Sequence, residues 1–98
     1  MKKKILDDKA LEIIKKKKPI PQAKKLIEET WEFGESVIDF EHGYGSREHM
    51  VEEIGDVLFL IKQFRLLYDI KDEEINEVHE YKADRTLSEM EEKENKRK

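Results

Sequence analysis

The 98-residue chain predicts an all-α protein, an antiparallel helical bundle of about four helices completed by association with further copies. Three observations carry that expectation. Gly and Pro, the residues that break helices, number only four and two, while Lys, Glu, Ile and Leu are abundant. Apolar residues recur at three- and four-residue spacings between short turn-rich interruptions. A chain of this length forms one domain and buries only about 60 to 70% of the surface its unfolded form exposes, so a single copy has a small core. With 37% hydrophobic and 45% charged residues, that core must come from a few dense apolar stretches.

Ile5, Leu6, Leu11, Ile13 and Ile14 predict a short first helix, which must end before Pro19. Residues 15–22 hold four lysines and two prolines and read as a linker, so that 1–22 forms a basic N-terminal helix and linker. A second helix is expected from Ala23 to about Glu41. At about 100° per residue, Leu26, Thr30, Phe33, Gly34, Val37 and Glu41 share one face, flanked by Ile27, Trp31, Ile38 and Phe40. His42-Gly43-Tyr44-Gly45 stops this helix, and Ser46 is placed to cap the next, with Glu48 in its first turn. So short a connection makes the two helices antiparallel. The third helix, about Arg47 to Tyr68, becomes apolar nearly all round after Val57, which calls for packing against a second subunit. After a turn at residues 69–71, Asp72 can cap a fourth helix with Glu73 and Glu74 in its first turn, running to about Ser88. Residues 23–88 thus form the core. Residues 89–98, almost entirely charged, are expected to be frayed or disordered.

The absence of cysteine excludes a disulfide framework, a thiolate zinc site and a Cys nucleophile, and fits the cytoplasm. Asp7, Asp8, Lys9 and Glu12 interrupt the apolar stretch that a secretory leader would need after its basic start. No segment approaches the roughly 20 apolar residues of a membrane span. The net charge of −4 is unevenly spread. Residues 1–25 carry ten Lys against Asp7, Asp8 and Glu12, a balance of +7, whereas residues 26–56 carry ten acidic groups against Arg47 alone, a balance of −9. The basic runs have no interleaved aromatics to stack on bases, so nucleic-acid binding is not expected. An acidic middle is where a divalent cation would go.

That middle has internal order. Glu28-Glu29-Thr30-Trp31-Glu32 on the second helix and Glu52-Glu53-Ile54-Gly55-Asp56 on the third each place an acidic pair before a third carboxylate. Residues three apart share a helix face, so Glu29 with Glu32, and Glu53 with Asp56, form two claws that antiparallel packing can bring face to face. Four such carboxylates repel one another unless a cation lies between them. Oxygen ligands without His or Cys favour Mg²⁺, with Mn²⁺ as a substitute. The competing reading is of ordinary exposed glutamates on charged helices. Against it stand the apolar segments abutting both motifs and Gly55, whose presence inside a strong helix points to close backbone packing.

The two motifs, separated by the 20 residues between Glu32 and Glu53, resemble the signature of the all-α nucleoside triphosphate pyrophosphatases. That superfamily includes MazG, dimeric dUTPase-like enzymes and phosphoribosyl-ATP pyrophosphatase. The resemblance is closest to the MazG form and covers about residues 22–88. It implies a Mg²⁺-dependent nucleotide pyrophosphohydrolase that cleaves between the α- and β-phosphates and releases a nucleoside monophosphate and pyrophosphate. Glu29, Glu32, Glu53 and Asp56 would be the metal ligands and catalytic residues, with Glu28 in a supporting role or exposed to solvent. One carboxylate, or the metal itself, would orient the attacking water. Lys82 and Arg85 continue the stripe of Ile75 and Val78 on the fourth helix, where they would bind the triphosphate or, alternatively, pair with Glu77 or Glu89. Ala83 and Asp84 depart from the fuller family pattern, which bears on substrate choice. Trp31 has two readings, a platform for a nucleobase or a core residue. The expected partners are a nucleoside triphosphate or related nucleotide and further copies, as a homodimer or homotetramer. Phosphoribosyl-ATP hydrolysis and a catalytically silent helical interaction module are the alternatives. A ferritin-like di-iron bundle is excluded because no Glu-x-x-His pair exists.

Overall fold

Two prolines and two left-handed turns divide the chain into four helices. The computed structural model describes residues 2–97: α1 (Lys3–Lys17), α2 (Pro19–Glu41), α3 (Arg47–Leu67) and α4 (Asp72–Arg97), with no strand among the described residues. The expected linker at 15–22 contracts to Lys18 alone. The Lys18 N–H still closes the last turn of α1 by donating to Ile14 O at 2.8 Å. Pro19 then begins α2, because proline at a first helical position gives up an N–H that had no partner there and brings its φ already set. Pro21 also falls in the first turn, so both prolines start a helix instead of spacing two apart.

The corner strains Lys18. Its ψ of 152° is the extended value that a following proline enforces, but its φ is +78°, a combination that belongs almost to glycine alone. Such a residue stores about 1 to 3 kcal/mol, and a glycine there gives back about 0.4 to 1 kcal/mol through the looser unfolded chain. Lys18→Gly is therefore expected to stabilise the fold by about 1 kcal/mol, a rise of about 4 to 8 °C in a thermal melt. An unchanged or lower Tm would show that the corner is not strained.

The α2–α3 connection follows from Gly43. With φ at +83°, Gly43 donates to Phe40 O and Tyr44 donates to Asp39 O, the paired bonds that close a helix through a left-handed residue. Ser46 caps α3 as the sequence predicts, its Oγ accepting from the His49 N–H at 3.1 Å. Asp69, at φ +53°, repeats the left-handed ending after α3, with Asp69 donating to Leu66 O and Ile70 to Arg65 O. The expected cap at Asp72 is displaced by one residue. Lys71 precedes the helix, and Glu74 reaches back to accept from the Lys71 N–H at 2.8 Å. Asp72 is instead paired with Arg65.

α1, α2 and α3 pack on one another, with α3 in the centre, while α4 packs against none of them among the described residues. The radius of gyration of 17.3 Å exceeds the roughly 13 Å expected of a compact domain this size, and the long dimension reaches 55 Å, because α4 projects outward. The helical tail corrects the expected disorder over 89–98: α4 continues to Arg97, and Lys98 lies outside the described residues. Glu, Lys and Met favour helix, and Glu89 with Lys93 and Glu92 with Lys96 stand four apart, the spacing at which opposite charges support a solvated helix.

The apolar core of the three-helix unit is small. Ala10, Ile14 and Leu60 are its buried apolar residues, joined by buried Gln22, Ser36, Glu53 and Gln63. A Lys62–Asp7 ion pair at 2.6 Å ties α3 to α1. The broad apolar face expected on α2 divides into two. Leu26, Phe33 and Val37 turn partly inward, whereas Ile27, Trp31 and Ile38 lie exposed and, with Gly34, line an apolar groove on the outer side. On α3, Val51, Ile54, Leu58 and Ile61 form a similar outward stripe at spacings of three and four. No helix among the described residues is long and apolar enough to cross a membrane.

Candidate metal centre

Antiparallel packing sets Glu29 of α2 opposite Glu53 and Asp56 of α3. One oxygen from each lies within 4.8 Å of the others, close enough to hold a single metal ion. The three differ in environment: Glu53 is buried, Glu29 half-buried and Asp56 exposed, so the group opens to solvent on one side. Glu29 Oε2 and Glu53 Oε2 are shielded from solvent and have no hydrogen-bond partner. Glu53 Oε1 lies 3.6 Å from Nε2 of His49, one turn earlier on α3. Leaving a shielded carboxylate oxygen unpaired is costly, and two of them in one cluster of like charge are harder still to account for by packing. A hard divalent cation would satisfy both oxygens and neutralise the repulsion, so the donor set fits one.

The electrostatics agree. Loss of solvent raises the Glu29 carboxyl above its ordinary range, and the charges of Glu32, Asp56 and Glu53 push it further; Lys25 opposes them. A carboxyl whose pKa is higher folded than unfolded opposes folding while ionised, and that penalty is relieved as pH falls through the folded pKa towards the ordinary value. Asp72 runs the other way. Arg65 holds its carboxyl low, so its contribution persists above the ordinary value and is lost only as pH falls through the depressed one. The metal-free protein is therefore expected to melt at higher temperature as pH falls from neutrality through the raised folded value of Glu29 towards the ordinary carboxylate range. Saturating Mg²⁺ at pH 7 should supply that stabilisation and flatten the pH dependence. A metal-free Tm that does not rise on acidification would remove the electrostatic argument for a cation.

The remaining sequence candidates are placed unequally. Glu32 stands one turn beyond Glu29 and outside the three-oxygen group, exposed, yet near enough for its charge to raise Glu29. Glu28 is exposed. Trp31 is neither in the core of the protomer nor at the carboxylates: it is 72% exposed and lines the outer groove. Lys82 and Arg85 are exposed on projecting α4, which does not pack beside the acidic group, and Arg85 Nε donates to Glu89 at 2.9 Å. Within this chain, these cations do not reach the site. Gly55 is not at a close approach either, since a Cβ built there meets nothing within 4 Å.

Sequence reasoning missed what lies behind the carboxylates. A slot of about 360 Å³ runs from Glu29 and Asp56 past Phe59 and Leu60 to Gln22 and Gln63, with Lys17 and Lys25 on its walls. Gln22 and Gln63 are both buried, and Gln22 Nε2 donates to Gln63 Oε1 at 2.8 Å. Treating Gln22 as linker hid the signal: Gln22 is seven residues before Glu29 and Gln63 seven after Asp56, which is two helical turns along each stripe. No protein-family model, curated protein or solved structure matches this chain.

Proposed function

We propose that this protein is a Mg²⁺-dependent nucleotide pyrophosphohydrolase of the MazG-like kind, cleaving nucleoside triphosphates between the α- and β-phosphates to give a monophosphate and pyrophosphate. The observation that carries the reading is the meeting of Glu29, Glu53 and Asp56 within 4.8 Å, with two shielded oxygens left unpartnered. It brings together carboxylates from both motifs on which the resemblance to the all-α nucleoside triphosphate pyrophosphatases rests. Glu29, Glu53 and Asp56 hold the Mg²⁺, and Glu32 adds charge from the next turn. When bound, the ion neutralises polyphosphate charge, polarises phosphorus and lowers the pKa of water. Glu53, fixed by burial and by its neighbour His49, keeps the ligand set rigid, while exposed Asp56 lies on the side open to the substrate. Lys17 and Lys25, on the wall of the adjoining slot, are placed to balance phosphate charge that the carboxylates would otherwise repel.

The active form we propose is a homo-oligomer. The outward stripe of Val51, Ile54, Leu58 and Ile61 and the groove around Ile27, Trp31 and Ile38 supply apolar surface that the thin core of one copy leaves uncovered. The test of the activity is pyrophosphate release from a panel of canonical and modified nucleoside triphosphates and phosphoribosyl-ATP, with and without Mg²⁺. Metal-dependent release supports the reading and ranks the substrates. Absence of release from every member, with no metal-induced rise in Tm, would favour a helical interaction module instead.

A further inference from the structure

We infer that the buried Gln22–Gln63 pair is the base-recognition element of the site, reading the hydrogen-bonding edge of a nucleobase held in the slot behind the metal carboxylates. This inference rests on the pyrophosphohydrolase reading and assigns the part of the substrate that the metal does not touch.

The slot has two chemically different ends. Glu29 and Asp56 mark one, and Gln22 and Gln63 the other; Ile13, Phe59 and Leu60 form the apolar part of the wall, and Lys17 and Lys25 add cations to it. Seven residues of helix at about 1.5 Å each separate the ends by about 10 Å on both α2 and α3. That is the scale of a nucleoside monophosphate laid lengthwise, its α-phosphate at the carboxylates and its base at the amides. The volume of about 360 Å³ admits a base and its sugar. A pocket with a mostly apolar wall and a few placed polar groups is how proteins orient flat heterocycles.

The amides are built for a guest rather than for each other alone. A primary amide carries two N–H donors and a carbonyl acceptor, and the mutual bond engages one donor of Gln22 and the Gln63 oxygen. The Gln22 oxygen and the Gln63 nitrogen remain as an adjacent acceptor and donor. Adenine and cytosine present an amino donor beside a ring acceptor on the pairing edge, and guanine and uracil a carbonyl acceptor beside a ring donor, so a fixed acceptor–donor pair tells the two kinds apart; each glutamine holds the other in orientation, so the reading edge is set before the base arrives. Gln63 is 1% exposed and Gln22 5%, yet neither the Gln22 oxygen nor the Gln63 nitrogen is among the shielded polar atoms left without a partner, as befits groups that meet the slot both residues line.

The test is kcat/KM for the four canonical ribonucleoside triphosphates with Mg²⁺, on wild type and on the Gln22→Leu/Gln63→Leu double variant. Replacing both members of a buried polar pair by apolar groups of similar size is nearly neutral for folding, and the Mg²⁺-induced rise in Tm reports whether the metal end is intact. The expected result is a fall of about tenfold or more for the preferred nucleotide and a collapse of the differences among the four, with the Mg²⁺ response retained. On wild type, methylating the pairing edge of the preferred base should lower kcat/KM at least as far, a readout that needs no variant to fold. A ranking that survives the double substitution, or a methylated base hydrolysed as well as the parent, overturns the base-reading role and leaves the pyrophosphohydrolase reading standing. Failure of the wild type to hydrolyse any of the four or any other nucleotide overturns both.

Discussion

Glu53→Gln is expected to lower turnover by about three orders of magnitude or more, since a metal acting on phosphorus supplies several kcal/mol of transition-state stabilisation. The substitution keeps the size and shape of a buried side chain and removes only the charge that a cation would need. Asp56→Asn does the same at the open side of the group. The stability readout separates this outcome from simple misfolding. Glu53 stands among like charges with one oxygen shielded and unpaired, so neutralising it relieves repulsion on Glu29. Metal-free Glu53→Gln should melt at or above the metal-free wild type, while the rise in Tm on adding Mg²⁺ is lost. Pyrophosphate release and thermal melts with and without Mg²⁺ measure both halves. Activity retained in both variants would sink the carboxylate assignment, and a metal-free Tm well below wild type would mean that Glu53 is a structural partner rather than a ligand.

The carboxylates were legible in the sequence because two regularities coincide there. Helical spacing puts Glu29 and Glu32 on one face and Glu53 and Asp56 on another, and the Gly43 turn makes the helices antiparallel, which lets Glu29 meet the 53–56 segment. Glu32 is the exception: it shares a face with Glu29 but lies a turn further along, beyond the meeting of the three oxygens. Helix ends were less legible where one residue can serve two purposes. Pro19 and Pro21 stop a helix or start one, and only the unusual backbone of Lys18 decides that α2 begins at once. Charge in residues 89–97 suggests solvation correctly, but a solvated segment of strong helix formers can stay helical without packing. The position of α4 is the part of the fold least legible in the sequence. Periodicity shows which face of a helix is apolar, but not whether anything in the same copy covers it, so Lys82 and Arg85 could be placed on a stripe without being placed at the site.

The same limit gives the second large effect. In the proposed homo-oligomer, Ile54→Glu combined with Leu58→Glu is expected to dissociate the copies. Both residues are exposed in a single copy, where surface substitutions usually change stability by less than about 0.5 kcal/mol. Two unpaired carboxylates forced into an apolar interface cost several kcal/mol, which weakens association by about a thousandfold or more. Sedimentation should give a wild-type mass at a multiple of 11.8 kDa and a variant mass close to that value, with helicity kept. A wild type that sediments at 11.8 kDa would remove the oligomer. The glycines sharpen the argument. Gly34 and Gly55 sit in helix interiors, where glycine costs about 1 kcal/mol relative to alanine, and neither has a neighbour within 4 Å of a built Cβ. In an isolated copy, alanine at either position should therefore stabilise by about that amount. If another copy brings its backbone against these helices, the added methyl groups collide with it, and Gly34→Ala or Gly55→Ala weakens the assembly while strengthening the dissociated chain. Measuring both substitutions in the wild-type and dissociated backgrounds tells whether the glycines lie at the interface.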